Sequence, residues 1–400
     1  MGYKDVEALW NESCDSEVLS LCQNLVRINT TNPPGNEEAA VRCLVDYLKD
    51  TNVESRIISH GKDRASVVFR LKGAGNKDAL LFNGHVDTVP AGNVKWVHDP
   101  FAGEIADGKI WGRGASDMKG GIAAMAVAMA CIARSGIKLA GDLILAATAG
   151  EEIDSLGAMA VADRASEMGP VQAIVIGEPS YNEVFIAEKG ALWLEVCTFG
   201  KTAHGSMPEL GNNAITMMLP VISAIEEMEI PFEVHPYLGG FTKSINTISG
   251  GVKVNVVPDL CAIQVDMRTV PGQQHQAIVA RVEEILRTFQ RQRPGFSAAL
   301  KVVNDRPPVA TSPDDPAVKL FSGAVARVTG KMPKLQGVAY YTDATALVPA
   351  FKCPMVICGP GAPGAAHQPD EWVEIGKLSE AGRIYVQAAL NFLAEEGLTS

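Results

Sequence analysis

The 400-residue chain reads as an α/β protein with a mixed sheet between helical layers, interrupted by a smaller ferredoxin-like α+β module. Three observations predict this. From Ser16 to Ile176, helical stretches with one apolar face alternate with short, wholly apolar runs, the pattern of strands buried under helices. Near Lys189-Gly190 the apolar runs give way to strict alternation, as in a sheet with one exposed face. Beyond residue 304 the first pattern returns. Residues 1–188 and 304–400 are therefore expected to form one discontinuous domain, with 189–303 inserted into it.

In order, Val18, Leu21, Leu25 and Val26 mark one face of a helix over Ser16–Ile28, with Ser16 as its cap. Thr30-Thr31-Asn32-Pro33-Pro34-Gly35-Asn36 breaks it. A second helix spans Glu37–Asp50, with Ala40, Val41, Leu44, Val45 and Leu48 inward. Strands follow near Ser66–Leu71 and Ala79–Phe82, then an alanine-rich helix over Met118–Arg134, then strands near Leu143–Ala147 and Ala173–Ile176. In the insert, Leu192, Leu194 and Val196 alternate with Trp193 and Glu195 along Ala191–Phe199. A helix over Asn212–Met228 carries Pro220, which should kink it or lie at an irregular turn. Strands Ser244–Ile248 and Cys261–Arg268, a helix Gln274–Phe289 and a strand Ala299–Val303 complete a β-α-β-β-α-β order. Pro354–Cys358 is a strand of the outer unit and Lys377–Leu393 its closing helix.

Composition narrows the function classes. An apolar share of 47% with 20% charged residues is ordinary for a globular protein. A net charge of −11 and a pI near 5.2 argue against nucleic-acid or anionic-membrane partners. The eight cysteines are scattered without a paired zinc-type spacing, as expected of buried thiols in a reducing cytoplasm. Lys4, Asp5 and Glu7 near the N-terminus leave no room for the apolar segment of a signal peptide. Gly121–Ala133 is too short to span a bilayer. A cytoplasmic location is the expectation.

The chemistry gathers at strand ends. His85 and Asp87 follow the apolar run Ala79–Phe82, and period-2 geometry points both the same way, so the Asp87 carboxylate is placed to take the imidazole proton. Asp117 follows a glycine-rich turn, Gly112-Arg113-Gly114, just before a helix. Glu151-Glu152 follows the strand ending at Ala147, and Glu178 follows Ala173–Ile176. Far downstream, Cys358-Gly359-Pro360-Gly361 leads to His367-Gln368-Pro369-Asp370-Glu371. Acids and histidines at the C-terminal ends of apolar strands are what an open α/β sheet uses to gather ligands. A first-turn acid is ordinary at a helix start, but five such positions in register indicate a metal centre.

This set resembles the co-catalytic metallopeptidase and deacylase family (peptidase family M20) of acetylornithine deacetylase, succinyl-diaminopimelate desuccinylase, aminoacylase-1 and carboxypeptidase G2. The resemblance implies a zinc-peptidase-like catalytic domain holding two divalent ions, zinc first, with cobalt or manganese as alternatives. It implies that His85 and Glu178 bind one ion, Glu152 and His367 the other, and Asp117 both. Glu151 becomes the general base, and the Asp117-Met118 peptide is expected to be cis. In the same resemblance, residues 189–303 form a homodimerisation domain whose His204 reaches the partner's site to stabilise the oxyanion. Asn246 and Arg268 hold the intermediate and the substrate carboxylate. Thr342 and Asp343 lie where family members line the substrate pocket; Asp343 alternatively caps the following helix. The implied activity is hydrolysis of N-acyl amino acids, or of short peptides in a carboxypeptidase manner. A non-catalytic relative would be expected to lack Glu151 or a ligand, and none is lacking.

Overall fold

Asn11, rather than Ser16, starts the first helix. Its side chain accepts the N–H groups of Ser13 and Cys14, and α1 runs over Glu12–Arg27, because an asparagine in extended backbone satisfies orphan donors that Ser16, already one turn inside, does not. The computed structural model describes residues 9–393. The reading of Lys4, Asp5 and Glu7 lies outside them.

The described residues divide into two units, one of 9–186, 310–337 and 342–393, the other of 187–309 and 338–341. In the larger unit, α1 is followed by α2 (Glu37–Leu48) and by β1 (Glu54–Gly61), β2 (Arg64–Leu71) and β3 (Ala79–His85). Next come β4 (Glu104–Ala106), β5 (Lys109–Trp111), a wide turn over Ala115–Lys119 and α3 (Gly120–Ser135). β6 (Leu143–Thr148), α4 (Leu156–Ala162), α5 (Ala165–Met168), β7 (Val171–Ile176) and β8 (Val184–Glu188) complete the first stretch. After the insert come β13 (Val309–Ala310), α8 (Pro316–Thr329), β14 (Leu335–Val338) and α9 (Ala344–Phe351). β15 (Met355–Ile357), β16 (Trp372–Glu374) and α10 (Ile375–Leu393) close the chain.

The main sheet is mixed, in the order β1-β2-β6-β3-β7-β15-β8-β13 with β14 beside β8. Its centre, β6-β3-β7-β15, is parallel, so four C-terminal strand ends open on one edge. Both faces are covered. Phe82 meets Tyr385 of α10 and Gly84 faces Met118 and Ile122, whereas α4 and α9 pack together against β6 and β7. β3, β6 and nearly all of β7 are buried, which is why they read as unbroken apolar runs. α3 joined to its preceding turn, Ala115–Ser135, is the one helix among the described residues long and apolar enough to cross a membrane. It is almost wholly buried in this core.

The second unit contains β9 (Gly190–Phe199), α6 (Ala214–Glu227), β10 (Thr242–Gly250), β11 (Leu260–Thr269), α7 (His275–Gln292) and β12 (Ala298–Arg306). Its antiparallel sheet has the order β10-β11-β9-β12. Leu192, Leu194, Val196, Ile263, Val265 and Met267 form the core with Val221, Ile225, Val282 and Leu286 of the two helices. α6 runs through Pro220 without ending. β12 continues its pairing with β9 to Arg306, so the unit extends past the boundary at 303 read from the sequence. All eight cysteines are free thiols.

Candidate metal centre

The four parallel strand ends bring the sequence-derived ligands together. β3 ends on His85, paired with Thr148 at the end of β6; Gly150, at φ +81°, then turns the chain into Glu151-Glu152. β7 delivers Glu178 two residues past its end. Here Gly359 is required, because a Cβ at that position would lie 2.1 Å from the carbonyl oxygen of Gly177. Asp117 comes from the wide turn before α3, and the Asp117-Met118 peptide is cis, as the resemblance implies.

His85 Nε2 lies 3.1 Å from Asp117 Oδ1 and 3.6 Å from Glu178 Oε1. His367 Nε2 lies 3.3 Å from Asp117 Oδ2 and 3.2 Å from the Glu152 carboxylate. The two oxygens of Asp117 thus face different imidazoles, one belonging to each of the two expected ligand sets. Ligand atoms of His85, Glu151 and Glu178 also fall within 4.8 Å of one another, so Glu151 points into the same centre. His367 is the most exposed of these groups, with 51% of its side chain accessible, and its backbone is in the left-handed region at φ +61°. A non-glycine residue held there is a constraint typical of functional sites.

Crowding of acids sets the electrostatics. Burial, reinforced by neighbouring carboxylates, pushes Glu151 and Glu178 well above the ordinary carboxylate range; burial also raises Glu152. Asp117 is held low against its burial by His367 and His85. Hydrogen bonds to Asp117 and Glu152 raise His367 to about 10. His85 is raised well above its usual value because Glu178 and Asp117 outweigh its burial. In this charge state protons on imidazoles and carboxylates offset the crowding. Divalent cations do the same with no burial of uncompensated charge, and carboxylate with imidazole is a donor set that suits zinc. The residues therefore fit two ions.

Asp87 departs from the expectation. Its carboxylate oxygen is 3.6 Å from His85 Nδ1, beyond a hydrogen bond, and the ring nitrogen meets the Asp87 backbone carbonyl at 3.0 Å instead. The carboxylate accepts the N–H groups of Gly150 at 2.9 Å and Glu151 at 3.2 Å, and Asn32 Nδ2 at 2.9 Å. It therefore fixes the turn that aims Glu151 and Glu152. Thr342 and Asp343 are both buried. Asp343 Oδ2 meets Thr148 Oγ1 at 2.5 Å, and its side chain makes no cap to α9, so the capping alternative does not describe it.

In the second unit, His204 is exposed, and its Nδ1 accepts the Ser206 N–H at 3.2 Å. A neutral ring then carries its proton on Nε2. Asn246 sits at a bulge in β10 and meets Ser244 Oγ at 2.6 Å. Arg268 is paired through its Nε edge with Asp266 at 2.9 Å; Asp266 also accepts the Trp193 indole N–H at 3.0 Å. Two residues with no assigned role in the sequence reading belong to the larger unit's site: Asn32, from the Asn-Pro-Pro break, and Glu371, four residues after His367.

Residues 81–391 match peptidase family M20/M25/M40. The chain belongs to that family. A probable succinyl-diaminopimelate desuccinylase of Staphylococcus aureus (strain MRSA252) is 27% identical over 96% of this chain and 99% of its own. Among solved structures, an M20 metallo-carboxypeptidase of Sulfolobus solfataricus superposes with a TM-score of 0.79 at 19% identity, over 94% of this chain and 99% of that one. A dinuclear metal-binding M20 peptidase of Bacillus subtilis gives 0.70 at 16%, over 96% and 99%. The chain is thus a hydrolase-family protein with the mixed α/β fold that its sequence implies.

Proposed function

We propose that the protein hydrolyses the amide bond of N-acyl amino acids with two bound divalent ions. The observation that carries this reading is the Asp117 carboxylate, whose oxygens face His85 and His367 separately, as a bridging ligand requires. His85 and Glu178 would hold one ion, Glu152 and His367 the other. When bound, such a pair supplies Lewis-acid polarisation of the scissile carbonyl and lowers the pKa of water. Glu151 takes the proton of the attacking water and passes it to the leaving nitrogen. Asp87 and Asn32 keep Glu151 in place through the turn at Gly150.

The inserted unit supplies the remaining groups in this reading. Arg268, whose Nε and Nη2 already meet Asp266, recognises the substrate carboxylate, since a guanidinium offers several donors in a planar fork. Asn246 assists the intermediate, and His204 donates its Nε2 proton to the oxyanion across a two-fold dimer. Support for pairing comes from β10, an edge strand, and from exposed Ile248, Val252 and Val254 on and beside it.

The whole-length likeness to the probable desuccinylase supports deacylation, while the same residues fit a carboxypeptidase on short peptides. A rate screen separates the two: N-acetyl, N-formyl and N-succinyl amino acids against carboxy-terminal dipeptides, with zinc, cobalt or manganese added. Turnover confined to dipeptides would overturn the deacylase reading; turnover of neither class would overturn both.

A further inference from the structure

Glu371 is fully buried beside the turn that carries Asp117. Its Oε1 accepts the N–H groups of Ser116 and Asp117, each at 2.9 Å, and its Oε2 accepts the Gly114 N–H at 3.0 Å and Arg113 Nη1 at 2.5 Å. Three N–H groups within four residues converge on one carboxylate, at the start of a helix where the backbone dipoles already favour a negative charge. Gly114 makes this concavity possible with φ +85°. The backbone continues the attachment: Gly112 N–H donates to the Glu371 carbonyl at 2.8 Å, and β16 pairs with β5 through Trp372 and Trp111. Asp370 fixes the preceding position by accepting the N–H groups of Val97 and His98 at 2.8 and 3.0 Å.

We infer that Glu371 is a positioning residue for the metal centre, locking the bridging Asp117 and the His367 segment into one rigid body. It touches neither substrate nor reacting atoms. The inference rests on the two-ion reading of the site. Glu371 is the shared element because the segment that presents His367 also holds the backbone N–H of Asp117, fixing the separation of two ligands 250 residues apart in sequence. Outer groups that orient ligands in this way typically change metal affinity by about 10- to 100-fold when removed.

The test is Glu371→Gln, which keeps the shape but turns an amide toward two N–H donors that need an acceptor. Zinc titration of the chelator-stripped protein is compared with wild type, as is the zinc-induced rise in melting temperature. The expected result is zinc binding weakened at least tenfold and a smaller zinc-induced rise, with Glu371→Asp recovering part of both. A variant that melts earlier without metal, yet shows the wild-type zinc affinity and zinc-induced rise, would reduce Glu371 to a structural staple and overturn the inference. If Glu371→Gln does not fold, the same two readings on Glu371→Asp decide, with unchanged affinity overturning the inference. Wild type that binds no zinc would fail the two-ion reading itself, a different result from either.

Discussion

Removing the Asp87 carboxylate should unfold the catalytic turn before it affects any chemistry. In Asp87→Ala, the buried N–H groups of Gly150 and Glu151 and the buried side-chain amide of Asn32 lose an acceptor within 2.9 to 3.2 Å, and the part-buried Glu152 N–H loses one at 3.4 Å. Each buried donor left without a partner costs about 1–3 kcal/mol, so three cost about 3–9 kcal/mol. That is comparable with a whole domain's stability of about 5–15 kcal/mol. Asp87→Asn keeps an oxygen for Gly150 and Glu151 but sets an amide against the Asn32 amide, and should lose about 1–3 kcal/mol. Urea unfolding of the metal-free proteins, followed by circular dichroism, measures both losses. Asp87→Ala within about 1 kcal/mol of wild type would refute the assignment of this carboxylate to the turn.

Glu151→Gln should lower turnover by about 10²- to 10⁴-fold with metal content unchanged; near-normal turnover would remove Glu151 as the base. Gly359→Ala places a methyl group 2.1 Å from the Gly177 carbonyl oxygen and 2.6 Å from that of Glu178. It should cost about 1–3 kcal/mol or more and weaken metal binding, measured by thermal melting with and without zinc. Glu151→Ala and His204→Ala proteins, each nearly inactive, should recover at most about a quarter of wild-type activity after subunit exchange, because roughly half the dimers are mixed and half their sites whole. No recovery after proven exchange would exclude His204 acting across a dimer.

What the sequence made legible follows from burial. Ala79–Phe82, Leu143–Ala147 and Ala173–Ile176 stood out because these runs, covered on both faces, are apolar throughout, so His85, Glu151-Glu152 and Glu178 beyond them are conspicuous. The alternation of Leu192, Leu194 and Val196 was readable for the converse reason. β1, exposed along most of its length, carries no apolar pattern and went unassigned, as did the three-residue strands β4, β5 and β16 and the helix α8. The partners of Asp87 and the role of Glu371 were hidden because they are backbone N–H groups 63 and 255 positions away, which no local spacing reveals. Asn32 lay in plain view, yet its loop read only as a helix break. Asp343 sits where a helix cap is expected from local spacing, yet its carboxylate turns instead to Thr148, 195 positions away.

The most direct test is the metal content of the purified protein, measured by elemental analysis and by zinc titration after chelator treatment. Two divalent ions per chain are expected, falling to one or none in His85→Ala, Asp117→Ala and His367→Ala, with hydrolysis abolished by chelator and restored by zinc, cobalt or manganese. No stoichiometric divalent metal, together with amide hydrolysis indifferent to chelator, would contradict the two-ion site.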